Sequence, residues 1–138
     1  FLSKIFDPSP VKTKIDLSFL FKISSNFIFW KLSLNISQKN IYRKIKSSDC
    51  LILPSVEEGI ANVVLESMGL SIPIITSDCG GMKEIIKHKE NGLVFKSRNI
   101  EDLIKNMKTI TEMNETKKND MIKSALHYVK KNHNLSLI

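Results

Sequence analysis

Cysteine is scarce in this chain: Cys50 and Cys79 are the only two among 138 residues. They lack CxxC spacing and fall far short of a secreted disulfide scaffold, so they read as reduced thiols of a cytoplasmic protein. Histidine is nearly as thin. His88, His127 and His133 stand among Lys and Asn with no metal-ligand spacing, and no Asp-x-Asp pair occurs. A metal is therefore not expected, nor is any other cofactor. Long apolar runs are missing too. The greasiest, Phe27–Trp30, lies between Lys22 and Lys31, and nothing approaches the roughly 20 residues a membrane span needs. A basic segment followed by an unbroken apolar one, the mark of a signal peptide, is absent from the N-terminus. That the first residue is Phe1 rather than Met suggests a fragment or a processed chain.

What is present fits one globular domain with a real core: 42% of residues are hydrophobic and 25% charged. The net charge of +7 is unevenly spread, at +6 for residues 1–49, −3 for 50–95 and +4 for 96–138. Basic flanks can attract phosphorylated ligands, nucleic acid or an anionic membrane. The plainer account is a Lys-rich solvent face. Nucleic acid is not expected as a partner, because Phe and Trp read as core and no recognition motif appears.

From residue 50 onward, short apolar runs alternate with helical patterns. Cys50–Leu53, stopped by Pro54, suits a strand buried on both faces. A helix follows from about residue 60 to 70, then a strand over 72–76, with Pro73 tolerable near its start. Gly80 and Gly81 open a helix expected through His88, Asn91-Gly92 stops it, and Leu93–Phe95 is a third strand. Asn99 is a good N-cap, with Glu101 and Asp102 in the first turn and Lys105 and Lys108 later, as a helix dipole favours. Met121, Ile122, Ala125, Leu126 and Val129 mark one apolar face of a last helix. Earlier, Ser37 can cap a short helix carrying Ile41, Tyr42 and Ile45, and 32–36 alternates like a strand. Residues 1–31 stay outside the rhythm, with apolar residues from Leu17 to Trp30 that fit neither period. The expected fold is α/β, a parallel Rossmann-like sheet flanked by helices.

The stretch SVEEGIANVVLESMG, residues 55–69, keeps carboxylates in a segment otherwise built for burial. On a helical wheel Ile60, Ala61, Val63, Val64, Leu65 and Met68 cover a wide apolar arc, while Asn62 and Glu66 share the remaining face. Gly59 permits close backbone approach, and free N–H groups in the first turn attract an anion. A carboxylate accepts well from sugar hydroxyls. Together they suit a ligand with both phosphate and vicinal hydroxyls, such as a nucleotide sugar. Equally, Glu57 and Glu58 favour a helix N-terminus electrostatically and Glu66 can be a solvated helix residue. Spacing alone does not choose between these.

The segment SDCLILPSVEEGIANVVLESMGLSIPIITSDCGGMKEIIKHKENGLVF resembles the C-terminal half of group 1 (family 4) retaining glycosyltransferases of GT-B fold. It carries Pro54-Ser55, Glu58-Gly59-Ile60-Ala61, Leu65-Glu66-Ser67-Met68, Pro73-Ile74-Ile75, Gly80-Gly81 followed by Glu84, and Asn91-Gly92, in the family's order. The match is good over about 37–112 and weaker through the last helix. It divides the chain into a poorly matched segment, 1–36, which reads as truncated or rearranged, and a donor-binding domain, 37–138.

The resemblance implies a hexosyl transfer, with retention and without metal, from a nucleoside-diphosphate sugar to a hydroxyl of a glycan or lipid-linked acceptor, as in polysaccharide biosynthesis. Glu58, the catalytic candidate, would meet the donor sugar. Gly59, Ile60 and Ala61 would offer backbone N–H groups to sugar and diphosphate, beside Asn62, and Glu66 would accept both ribose hydroxyls. Glu84 would cap its own helix, and Gly80 and Gly81 would shape their loop. The implied setting is cytoplasmic, peripheral at the inner membrane face where anionic lipid meets the basic flanks.

This chain departs from the family's pattern in three ways. Ile60 and Ala61 replace the usual Phe and Gly. The family's R-x4-K-G-like diphosphate pair has no counterpart; VKTKIDLSFLFK offers only Lys12 and Lys14. Such enzymes also place the active site between two Rossmann-like domains, so an N-terminal domain is the expected partner. A non-catalytic nucleotide-sugar-binding remnant of the same fold is the alternative. A sugar-nucleotide epimerase is a third class, whose histidine and arginine chemistry is hard to place here.

Overall fold

The computed structural model describes residues 27–29, 42, 43, 45–56 and 62–133. Among these residues four parallel strands pair into a sheet in sequence order: β1 (Phe27–Phe29), β2 (Cys50–Leu53), β3 (Ile74–Ser77) and β4 (Leu93–Phe95). Phe27 pairs with Cys50, Leu51 with Ile74, and Ile75 with Leu93. The helices are α1 (Asn62–Gly69), α2 (Met82–Ile85), α3 (Ile100–Glu112) and α4 (Glu115–Asn132). Residues 42, 43, 45 and 46 are also helical and lead into β2.

The period of two along β2 decides the layering. Leu51 and Leu53 face a cluster with Ile45, Val64, Met68 and Met82, so the helical residues between successive strands share one side of the sheet. Cys50 and Ile52 face the opposite cluster, with Ile75, Phe95, Met107 and Ile110, which α3 covers. The last helix bridges the two: Met121 belongs to the second cluster, whereas Ala125 and Val129 pack with α1 in the first. Each fully buried aliphatic side chain contributes about 1.5–3 kcal/mol, and Ile52, Val64, Ile75, Leu93 and Val129 are wholly buried.

Several expectations hold. Cys50–Leu53 is buried on both faces, and Leu93–Phe95 is a strand. Pro73 precedes β3, where its carbonyl accepts from Leu51 N–H at 2.9 Å. The Asn99 side chain caps α3 by accepting from Asp102 N–H at 3.0 Å, and Asn114 caps α4 in the same way. Gly80 adopts φ 50°, the left-handed conformation its loop requires.

Others need correction. Phe27–Phe29 joins the sheet by pairing with β2, so the strand–helix rhythm starts earlier than the periodicity of residues 1–31 suggests. Ser37, Ile41 and the strand expected over 32–36 lie outside the described residues.

The helix after Gly81 is a single turn that stops at Ile85, short of His88. The Asn91 side chain intercepts its groups, accepting from Lys87 N–H at 2.8 Å and donating to the Ile85 carbonyl at 2.9 Å. Glu84 does not cap this helix; it is exposed, and its backbone N–H bonds the Gly81 carbonyl. In α3 the chain stays helical to Glu112, so Lys105 and Lys108 lie before the last turn, which holds no basic residue.

Candidate functional site

Parallel strands put their carboxyl ends on one edge, where open α/β sheets bind ligands. Here that edge is formed by Pro54 and Ser55 after β2, Asp78 after β3 and Lys96 after β4. Side chains and backbone tie the three exits together. Ser77 Oγ donates to the Ser55 carbonyl and lies 3.2 Å from Cys79 Sγ. Asp78 accepts from Ser97 N–H at 2.8 Å and pairs with Lys83 at 3.6 Å, while Asp78 N–H bonds the Phe95 carbonyl. Among the described residues the buried hydroxyls of Thr76 and Ser97 have no hydrogen-bond partner, an arrangement that usually costs about 1–3 kcal/mol per group.

The helix α1 runs back from the β2 exit. Val63, Val64, Ser67 and Met68 are buried, so packing rather than propensity holds a segment with two adjacent valines. Ser67 satisfies its hydroxyl locally by donating to the Val63 carbonyl at 2.7 Å. Asn62 is exposed at the first position and Glu66 is half-buried, about 6 Å further along the axis. The two thus share the face left over by the apolar arc, as the wheel implies.

The Glu66 carboxylate has a tertiary partner. Tyr42, which packs against the first core cluster, donates from its hydroxyl to Glu66 Oε1 at 3.1 Å. The structure brings together Glu66 and Tyr42, with Asn62 one turn earlier on the helix that carries Glu66. Glu58, Gly59, Ile60 and Ala61 lie outside the described residues. Tyr42 reads in the sequence only as an apolar residue of a short helix. A tyrosine at such a position, with its polar tip, is the one signal that a partner was needed.

Neither cysteine forms a disulfide, and both are buried. Burial, reinforced by the charge of Asp49, pushes the Cys50 thiol far up, so it packs as a small apolar group rather than acting as a nucleophile. His88 is exposed yet not merely solvated: its Nδ1 accepts from Val94 N–H at 3.0 Å. Among the described residues no three His, Cys, Asp or Glu converge as metal ligands, and no helix is long and apolar enough to cross a membrane.

A parallel sheet with this loop–helix edge matches known proteins in both sequence and shape. The family described as Glycosyl transferases group 1 matches residues 24–128. This chain belongs to that family. Glycosyltransferase 1 domain-containing protein 1 of Xenopus tropicalis is 33% identical over 103 residues, covering 74% of this chain and 29% of that protein. Sucrose-phosphate synthase from Thermosynechococcus elongatus superposes with a TM-score of 0.68 at 19% identity, over 75% of this chain and 26% of that one. Anabaena HepE in complex with UDP-glucose gives 0.61 at 20% identity, over 65% and 25%. The chain therefore has a parallel Rossmann-like sheet flanked by helices, one half of the GT-B architecture of group 1 glycosyltransferases, and spans less than a third of the length of these proteins. The family match begins at residue 24, which takes in β1 as well.

Proposed function

We propose that this chain is the donor-binding half of a retaining, metal-independent glycosyltransferase that passes a hexose from a nucleoside-diphosphate sugar to a hydroxyl acceptor. The observation that carries the reading is Glu66: a half-buried carboxylate on the residual polar face of α1, whose Oε1 accepts from Tyr42. HepE, a neighbour of the same fold, was solved with UDP-glucose, which supports a nucleotide-sugar donor.

In this reading Glu66 accepts both ribose hydroxyls, and Glu58 accepts from the donor sugar near its reacting carbon. Backbone N–H groups of Gly59, Ile60 and Ala61, beside Asn62, meet the sugar and the diphosphate. The transition state is oxocarbenium-like, so the main demand on the protein is stabilising the departing diphosphate by positive groups and the helix terminus. The acceptor, a glycan or a lipid-linked hydroxyl, approaches from an N-terminal Rossmann-like domain across a cleft. A nucleotide-sugar-binding module without turnover is the second reading, favoured by the absence of the R-x4-K-G-like pair from this sequence.

Calorimetry with UDP, GDP and ADP tests the ribose role. Glu66→Ala is expected to lose about 1–3 kcal/mol of affinity for the nucleotide that binds, the worth of hydrogen bonds to a charged group. Unchanged affinity would sink the assignment.

A further inference from the structure

Glu66 carries three side-chain torsions and a charge, and part of its surface meets water. Left alone, it would sample several rotamers and present its oxygens in several directions. Among the described residues no Lys or Arg forms a salt bridge with it. Among the described residues the Tyr42 hydroxyl, 24 residues earlier in the chain, donates to it at 3.1 Å. That donor is itself well anchored. Tyr42 packs against the first core cluster, and Ile45, one turn on, is 1% exposed in the same cluster. This bond joins the helical residues before β2 to the helix after it.

We propose that Tyr42 is a positioning residue for the donor nucleotide: its hydroxyl holds the Glu66 carboxylate in the orientation that accepts the ribose hydroxyls. The proposal rests on the ribose reading of Glu66 and adds to it the group that sets the carboxylate's geometry. A carboxylate has about four lone-pair sites. One donor on Oε1 leaves enough for two hydroxyls while removing the freedom that would make their capture costly. A phenol suits this better than a cation. It donates one directed bond and leaves the full negative charge to strengthen the bonds from the ribose, whereas Lys or Arg would neutralise that charge.

The test compares UDP, GDP and ADP with their 2′,3′-dideoxy analogues by calorimetry on the full 138-residue chain, using wild type, Tyr42→Phe, Glu66→Ala and the double variant. Tyr42→Phe keeps the ring that packs in the core and removes only the hydroxyl. It is expected to weaken the ribonucleotide about three- to ten-fold, the net worth of one ordinary hydrogen bond. Affinity for the dideoxy analogue should not change, and the double variant should bind no more weakly than Glu66→Ala. A Tyr42→Phe chain that discriminates ribose as wild type does, or that weakens both ligands alike, overturns the positioning role while leaving the Glu66 reading intact. A wild-type chain that binds neither ligand of each pair, or both equally, overturns the ribose reading and this inference with it.

Discussion

Asn91 supports the loop between the single-turn helix and β4 with two hydrogen bonds, and its removal has a calculable consequence. The side chain is 4% exposed. Its Nδ2 donates to the buried Ile85 carbonyl at 2.9 Å, and its Oδ1 accepts from Lys87 N–H at 2.8 Å. Asn91→Ala strands the Ile85 carbonyl away from water, at about 1–3 kcal/mol, and loses a second bond worth about 0.5–1.5 kcal/mol. Lys87 is exposed, so water takes over part of the second bond and the total settles near 2–4 kcal/mol.

For a chain of this length each kcal/mol lowers Tm by roughly 3–5 °C, giving a fall of about 6–20 °C. Asn91→Asp separates the two bonds: it keeps the acceptor for Lys87 and turns a carboxylate oxygen toward the Ile85 carbonyl. Its carboxyl pKa is then raised in the folded state. Stability relative to wild type is fullest below the unfolded carboxyl pKa and is lost as pH rises through the folded one. Urea unfolding followed by far-ultraviolet circular dichroism at pH 4 and pH 7 measures both variants. A loss below about 1 kcal/mol for Asn91→Ala, or an Asn91→Asp deficit that does not grow with pH, would refute the reasoning.

The proposed reaction makes three further predictions. In a protein joining this sequence to an N-terminal Rossmann-like domain, Glu58→Gln is expected to lower kcat well beyond any change in nucleotide affinity, and a wild-type kcat would count against its role. The basic flanks, +6 and +4, are expected to draw the chain to anionic vesicles in a salt-sensitive way, each nearby Lys or Arg contributing about 1 kcal/mol. Equal co-sedimentation with neutral and acidic vesicles would show the charge to be solubilising only. The 138 residues alone are expected to transfer no sugar, because orientation against a facing domain is worth roughly 7–11 kcal/mol of barrier. Robust transfer from radiolabelled UDP- or GDP-sugars to lipid, sugar or protein acceptors would reverse that expectation.

Much of the fold is legible in the chain because its cues are local. Cys50–Leu53 is an unbroken apolar run ended by Pro54, and Leu93–Phe95 follows the Asn91-Gly92 turn. Neither needs knowledge of its neighbours to read as a buried strand. Asn99 caps its helix through a bond three residues away, which spacing alone can anticipate. The polar face of α1, with Asn62 and Glu66, follows from helical periodicity in the same way.

Tertiary packing decided the rest. β1 is invisible to periodicity because Phe27–Phe29 becomes a strand only by pairing with β2, more than twenty residues on. The helix after Gly81 stops early because a side chain ten residues past that glycine, Asn91, takes the groups a second turn would use. Tyr42 meets Glu66 because the residues before β2 and the helix after it lie on the same side of the sheet. Sequence patterns report which face of an element is apolar. Which polar tips meet above that face depends on how two elements pack, and local spacing carries no record of it.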